Sequence, residues 1–124
     1  MLVAFYNVAL CFMDGRGTKQ NYVKSFEYMK QAAEKGFTSA LFQFGNFCYL
    51  GQGTQENVQE AIKSWKLASK KRHGQSCYML GKVYEEGYLI PRDIEKAIKW
   101  YSLGSQNSDF ECQNAVNRLT TIRQ

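Results

Sequence analysis

The stretch ALFQFGNFCYLGQGTQENVQEAIKSWKLASK, residues 40–70, decides the fold class of this chain. Two segments with apolar residues at helical spacing are separated by Gly51-Gln52-Gly53 and by Asn57. Glycine ends a helix well because a left-handed C-terminal residue meets no steric cost without a Cβ atom. An asparagine in front of a helix accepts a hydrogen bond from one of the free backbone N–H groups. The stretch therefore predicts a helix, a turn and a second helix.

The same pattern recurs along the chain at an offset of 36 residues. One position holds only small residues, the position four places later holds only apolar ones, and the glycine and the N-cap recur as well. The equivalent residues are Ala4, Ala40, Ser76 and Cys112, then Val8, Phe44, Leu80 and Val116, then Gly15, Gly51 and Gly87, then Asn21, Asn57 and Asp93. A helix pair of this size buries its apolar face only by stacking on a neighbouring pair, so the repeat predicts a solenoid.

We expect an all-α fold, an α/α superhelix of antiparallel helix pairs that forms a single domain over residues 1–124. Three full repeats are expected at about 4–39, 40–75 and 76–111, followed by a C-terminal capping helix at about 112–123. The prediction amounts to seven helices, with a first helix starting near residues 4, 40, 76 and 112.

The bulk composition is that of a folded soluble protein, with 44% hydrophobic and 22% charged residues. The apolar segment MLVAFYNVALCFM at the N-terminus has no basic residue before it and no small-residue cleavage site after it. It is also too short to span a bilayer. We interpret it as the first repeat helix, and we expect neither a signal peptide nor membrane insertion.

The four cysteines, Cys11, Cys48, Cys77 and Cys112, form no CxxC motif, and only one histidine is present. No zinc pattern is therefore available, and we expect no metal and no cofactor. We expect four free thiols, with Cys112 the most reactive because no later repeat covers its helix. A disulfide framework is the alternative for a secreted chain. The lack of a signal peptide and of a disulfide pattern favours a cytoplasmic location.

These residues resemble the Sel-1-like repeat, a relative of the tetratricopeptide repeat, whose pattern is A-x-x-x-L-G-x-x-Y-x-x-G-x-G followed by D-x-x-K-A-x-x-W-Y. The third repeat matches it at Leu80-Gly81, Tyr84, Gly87, Asp93, Lys96-Ala97 and Trp100-Tyr101. Three positions depart from it: Leu89 replaces the second glycine of G-x-G, and Arg72 and Ser108 stand where the first repeat has Gly36. The resemblance implies a protein–protein interaction adaptor or scaffold without catalysis. A weak hydrolase or small-molecule binder, as described for cysteine-rich members of the group, is the alternative function.

The formal charge of +5 is spread along the chain except for the run Lys70-Lys71-Arg72-His73. Such a run is typical of a nucleic-acid or anionic-lipid surface, or of a solvated helix end whose cations suit the helix dipole. We adopt the helix end and expect no nucleic-acid partner. His73 is the only histidine available as a catalytic base, and its place in a basic inter-repeat loop predicts that it faces solvent.

A stripe of rings is the candidate partner-binding surface. Tyr6, Phe42 and Tyr78 recur two places after the small residue of each first helix, and Met13 and Tyr49 lie on the same side. Such a stripe suits an extended peptide or a partner helix, and packing between repeats is the alternative.

A second surface is the apolar face of the N-terminal helix. We expect a second copy, a partner or upstream repeats to cover it, with Phe5 and Leu10 as association residues. The apolar residues of this helix are Val3, Phe5, Val8, Leu10 and Phe12.

Overall fold

The computed structural model describes residues 2–123, with only the backbone of Leu2, Ile122 and Arg123. These residues form α1 (Leu2–Asp14), α2 (Tyr22–Glu34), α3 (Thr38–Leu50), α4 (Val58–Lys70), α5 (Gly74–Glu86), α6 (Ile94–Gln106) and α7 (Phe110–Arg123). No strand occurs between residues 2 and 123. The all-α class and the seven helices are thereby confirmed for the described residues.

The first helices begin at residues 2, 38, 74 and 110, two residues before the predicted positions. The shift has a local cause. The residues in front of α3, α5 and α7 each lie three places before the small residue of the pattern, so each helix begins earlier than that small residue. They are Phe37, His73 and Asp109, which are chemically unlike one another. The prediction used recurring residue types, and none recurs at this position.

The predicted caps of the second helices are confirmed. The side-chain oxygens of Asn21, Asn57 and Asp93 each accept a backbone N–H from three residues further on, at 3.1 Å in all three cases. The backbone N–H groups of the same residues donate to carbonyls near the end of the preceding first helix, at 2.8, 2.7 and 2.9 Å. Each cap therefore starts its own helix and also ties that helix to its pair.

The turns keep one backbone conformation even where the sequence departs from glycine. Gly36 between the first two repeats has a φ of 86°, and Arg72 and Ser108 at the equivalent positions have φ values of 63° and 67°. The left-handed region costs a non-glycine residue roughly 1–2 kcal/mol, so both departures store strain. Leu89, in contrast, is not left-handed as Gly53 is, so the turn in the third repeat differs as predicted.

The chain forms two compact units, one ending at Ser64 and one beginning at Trp65. In the first unit α1 packs on α2, and α2 packs on α3. The Phe26 ring lies 5.3 Å from the ring of Phe44, centroid to centroid. The buried Ser25 hydroxyl donates to the Ala9 carbonyl at 2.7 Å, so this polar group is paired inside the core.

In the second unit α6 packs on both α5 and α7. The core consists of Cys77, Ala97, Tyr101, Cys112, Ala115 and Leu119. Gly104 lets α6 approach its neighbours, because a Cβ atom there would overlap the Cys112 sulfur and lie 2.9 Å from the Cys77 Cβ. Within residues 2–123, every helix is too short or too polar to cross a membrane.

Candidate functional site

We group the predicted residues Tyr6 and Met13 of α1 with Phe42, Asn46 and Tyr49 of α3 and call them the first-helix surface of the first unit. The three α3 residues follow the i, i+4, i+7 spacing, so they share one face of that helix. All five side chains are half-buried. The surface combines aromatic and thioether side chains with a single amide.

The Tyr6 ring meets the Phe37 ring edge-on, with centroids 5.1 Å apart. Phe37 directly precedes α3, so Tyr6 reaches across to the next repeat. This is the inter-repeat packing that the sequence left open for Tyr6, and it fixes the ring at one edge of the surface.

Asn46 is the residue on this surface that sequence reasoning missed. Its Oδ1 atom is buried and accepts no hydrogen bond from the described part of the chain. A buried acceptor without a partner costs roughly 1–3 kcal/mol. The 36-residue repeat does not predict a polar residue at this position, because the equivalent residues, Leu10 and Lys82, share no residue type with Asn46. The available signal was a lone asparagine inside an apolar helix, where this residue type is unfavourable.

The second unit carries its own first-helix surface, around Tyr78. A cavity of about 360 Å³ is lined by Tyr78 of α5 together with Glu111, Asn114, Ala115 and Arg118 of α7. The Tyr78 ring lies 5.7 Å from the Tyr101 ring in the core. Burial raises the pKa of the Tyr78 hydroxyl, so it is protonated and available as a donor at neutral pH.

An ion pair lies at this second surface, since Arg118 lines the cavity and pairs with Glu85. The Arg118 guanidinium donates to both carboxylate oxygens of Glu85, at 2.6 and 3.0 Å. The Tyr101 hydroxyl also donates a hydrogen bond to Oε1 of Glu85, at 2.9 Å. The hydrogen bonds from Arg118 hold the pKa of the Glu85 carboxyl below its usual range, against the opposing effect of burial. Glu85 therefore stays ionised and holds α5, α6 and α7 together.

The Cys112 thiol is not the accessible group that the sequence predicts. Cys112 is fully buried, and burial raises the pKa of its thiol, so the prediction that it is the most reactive cysteine is wrong. The helices α5 and α6 cover it from within the unit. Burial also raises the pKa of Cys48 to about 11. Cys11 is the one cysteine that is not buried.

His73 does not face solvent as the sequence predicted. It is half-buried and caps α5, with Nδ1 accepting the Ser76 backbone N–H at 3.3 Å and lying 2.8 Å from the Ser76 hydroxyl oxygen. Burial lowers the pKa of the His73 imidazole, against the nearby Asp109 carboxylate. Within residues 2–123, no group of three or more His, Cys, Asp or Glu side chains is placed to hold a metal ion.

Among the side chains that the structure describes on the N-terminal helix, the exposed large apolar ones are Val3 and Val8, at 55% and 37%. Phe5 is half-buried, and its ring lies 6.4 Å from the Tyr28 ring of the same repeat. Leu10 is also half-buried. The exposed part of this face is therefore aliphatic and narrower than the sequence suggested.

Seven helices within residues 2–123, with caps and helix stops that recur at a fixed offset, are the architecture of a helical-repeat protein. The Sel1 repeat pattern matches residues 3–37, 38–73 and 74–109. The chain therefore belongs to the Sel1 repeat family. Proteins of this family are generally non-catalytic scaffolds, and the fold commonly serves protein interaction.

Solved structures show the same fold. A Sel1 repeat protein from Oxalobacter formigenes superposes with a TM-score of 0.89 at 20% identity, over all of this chain and 51% of that protein. A protective antigen of uropathogenic Escherichia coli with an SLR fold gives 0.88 at 27% identity, over 95% of this chain and 25% of the antigen. Cysteine rich protein B of Helicobacter pylori gives 0.73 at 16% identity, over 92% and 88%.

The chain thus spans about half of the first of these proteins and a quarter of the second. No characterised protein sequence matches it significantly. The likeness at 20% and 16% identity concerns the fold.

Proposed function

We propose that this chain is a protein-binding adaptor that holds a partner peptide on the first-helix surface of its first unit. The observation that carries the proposal is the buried Asn46 Oδ1 without a hydrogen-bond partner in the described chain. Every residue of a bound peptide except proline brings a backbone N–H that must be satisfied. The oxygen is enclosed in the free protein, but Asn46 as a residue is half-buried, so rotation of its side chain would bring Oδ1 to the surface. A peptide N–H that donates to it there would remove the cost of the unpaired acceptor.

The neighbours of Asn46 suit the same role. Phe42 and Tyr49 lie one turn before and one turn after it on the same face of α3. Aromatic side chains dominate the energy of protein interfaces because they bury much area with few rotatable bonds. A peptide is thereby offered apolar anchors on either side of one directional hydrogen bond. Tyr6 and Met13 of α1 extend this surface.

The second unit provides a separate contact region. Tyr78 lines a cavity of about 360 Å³ whose other walls belong to α7. Its protonated hydroxyl and the Arg118 guanidinium are donors, whereas the amide of Asn46 contributes an acceptor. A neutral peptide side chain with an acceptor oxygen suits these donors, whereas the Glu111 carboxylate in the same wall disfavours a charged one. We therefore keep Tyr78 among the proposed binding residues.

The experiment is a selection of ligands from a displayed random-peptide library on the full chain, followed by calorimetric titration of one selected peptide. Asn46→Leu removes the acceptor and copies the Leu10 of the first repeat. The loss of a buried hydrogen bond, roughly 1–3 kcal/mol, predicts affinity about 5- to 150-fold weaker. Asn7→Leu, at an exposed asparagine of α1, is the control and should leave the affinity unchanged.

Two results would contradict the proposal. One is that no peptide is retained by the folded chain. The other is that a retained peptide binds the Asn46→Leu variant as tightly as the original chain.

A further inference from the structure

Helix α6 of the second unit carries a cavity that the proposed function does not use. It measures about 370 Å³ and has mostly apolar walls formed by Lys99, Trp100, Ser102, Leu103 and Gln106, all of α6. Trp100 is half-buried and Leu103 is exposed. A pocket of this size accommodates one or two side chains of a partner rather than a whole helix face.

Basic side chains flank this cavity. The Lys66 ammonium of α4 lies 6.0 Å from the centre of the Trp100 ring. Lys70 follows one turn later on the same face of α4, and Lys99 is on the cavity wall itself. All three lysines are exposed. Positive charge from two helices thus flanks an apolar cavity. We call the cavity and its three flanking lysines, Lys66, Lys70 and Lys99, the α6 pocket.

We propose that the α6 pocket binds an acidic segment of a partner protein. A bulky apolar side chain of the segment enters between Trp100 and Leu103, and its carboxylates pair with Lys66, Lys70 and Lys99. This inference rests on the proposed function in that the chain holds other proteins, but it assigns a second surface and the chemistry of its ligand. The charge complementarity supplies orientation and a faster encounter, and the apolar side chain supplies the anchor.

The geometry favours a protein segment over nucleic acid or a membrane. Single-stranded nucleic acid needs successive aromatic platforms along a basic groove, whereas the α6 pocket holds one ring. A membrane-surface helix needs a broad apolar face with cations along its edge. Here Ser102 and Gln106 interrupt the apolar part of α6 within one turn of Leu103.

The test uses a synthetic peptide with two leucines set among glutamates, titrated into the full chain at low ionic strength. The chain has two tryptophans, and Trp65 is fully buried, so a change in tryptophan emission reports mainly on Trp100. We expect a saturable change. A peptide with glutamine at every glutamate should bind about tenfold more weakly, and one with alanine at both leucines should bind similarly weakly.

Variants of the chain locate the site. Leu103→Gln, which copies the Gln31 of the first repeat, and the double variant Lys66→Gln with Lys99→Gln should each weaken binding about fivefold to tenfold. Lys24→Gln is the control, because it removes a lysine that lies 5.5 Å from the Phe12 ring in the first unit. It should leave the affinity unchanged.

The inference is overturned if the acidic peptide does not bind, if its glutamine version binds equally well, or if Leu103→Gln has no effect. It is also overturned if vesicles containing phosphatidylserine or a single-stranded DNA change the Trp100 emission and the peptide does not. Asn46→Leu, which is not on the pocket, separates the two proposals. Failure of the acidic peptide alone refutes the α6 pocket, and insensitivity of the library peptide to Asn46→Leu alone refutes the proposed function.

Discussion

Asn46→Leu should make the free protein more stable even though we expect it to weaken binding. The buried Oδ1 atom has no partner in the described chain, and such an acceptor costs roughly 1–3 kcal/mol. Leucine removes that cost and suits the interior of a helix better than asparagine does. Leu10 occupies the equivalent position of the first repeat, so the backbone of this fold accepts leucine there.

The magnitude follows from the size of the chain. The lower end of that cost is about 1 kcal/mol. Divided by the unfolding entropy expected for 124 residues, it corresponds to a rise in Tm of about 4 °C for Asn46→Leu. Urea denaturation followed by far-UV circular dichroism gives the free energy of unfolding, and the midpoint should rise with no change in slope.

Asn7→Leu is the matched control, because Asn7 is exposed on α1 and its substitution should change the free energy of unfolding by less than about 0.5 kcal/mol. The reasoning fails if Asn46→Leu lowers the stability by about 1 kcal/mol or more. That result would mean that the Asn46 side-chain oxygen already accepts a hydrogen bond in the free protein. A bound peptide would then find no unpaired acceptor there.

Four further predictions follow from other parts of the structure. Arg72→Gly should raise the free energy of unfolding by up to about 1 kcal/mol, measured in urea, because it relieves a left-handed arginine with a φ of 63°. The lowered pKa of His73 means that the unfolded chain binds more protons below neutral pH, so stability should fall with acidification from about pH 7 to about pH 5. His73→Asp, which keeps an N-cap, should flatten this dependence in melting curves. Mass spectrometry after brief iodoacetamide treatment should find Cys11 modified first, and the fully buried Cys77 and Cys112 last. Finally, if the exposed apolar face of α1 mediates self-association, Val8→Lys should shift a sedimenting dimer towards monomer, and a sedimentation coefficient independent of concentration in the original chain would contradict this.

The fold was predictable because the signals that specify it are local and repeat. Residue type alone predicts that Asn57 is an N-cap, and its side chain accepts a hydrogen bond from the Glu60 backbone N–H as expected. The pattern likewise predicts that α3 ends at Gly51, and this glycine is left-handed, with a φ of 71°. The starts of the first helices were misplaced by two residues because the caps there, such as His73, share no residue type.

The candidate sites were less predictable, because they depend on packing rather than on periodicity. The stripe through Phe42 and Tyr49 follows from helical spacing. Asn46 lies between them, but whether its oxygen finds a donor is set by neighbours that the sequence does not place. Burial of Cys112 depends on how closely α6 approaches α7 at Gly104, a distance that no sequence pattern gives. The sequence does not predict the α6 pocket, because Trp100 matches the repeat motif and nothing marks it as part of a surface cavity.

The most direct test of peptide binding at Asn46 is an NMR titration of the isotope-labelled full chain with one peptide selected from the library. The largest changes should fall on the backbone amides from Phe42 to Tyr49 and on the side-chain amide of Asn46, with smaller changes at Tyr6 and Met13 of α1. Saturation of these signals at the calorimetric affinity is the result that we predict. Changes confined to other parts of the chain, with the Asn46 side-chain signals unmoved at saturation, would contradict binding at this surface.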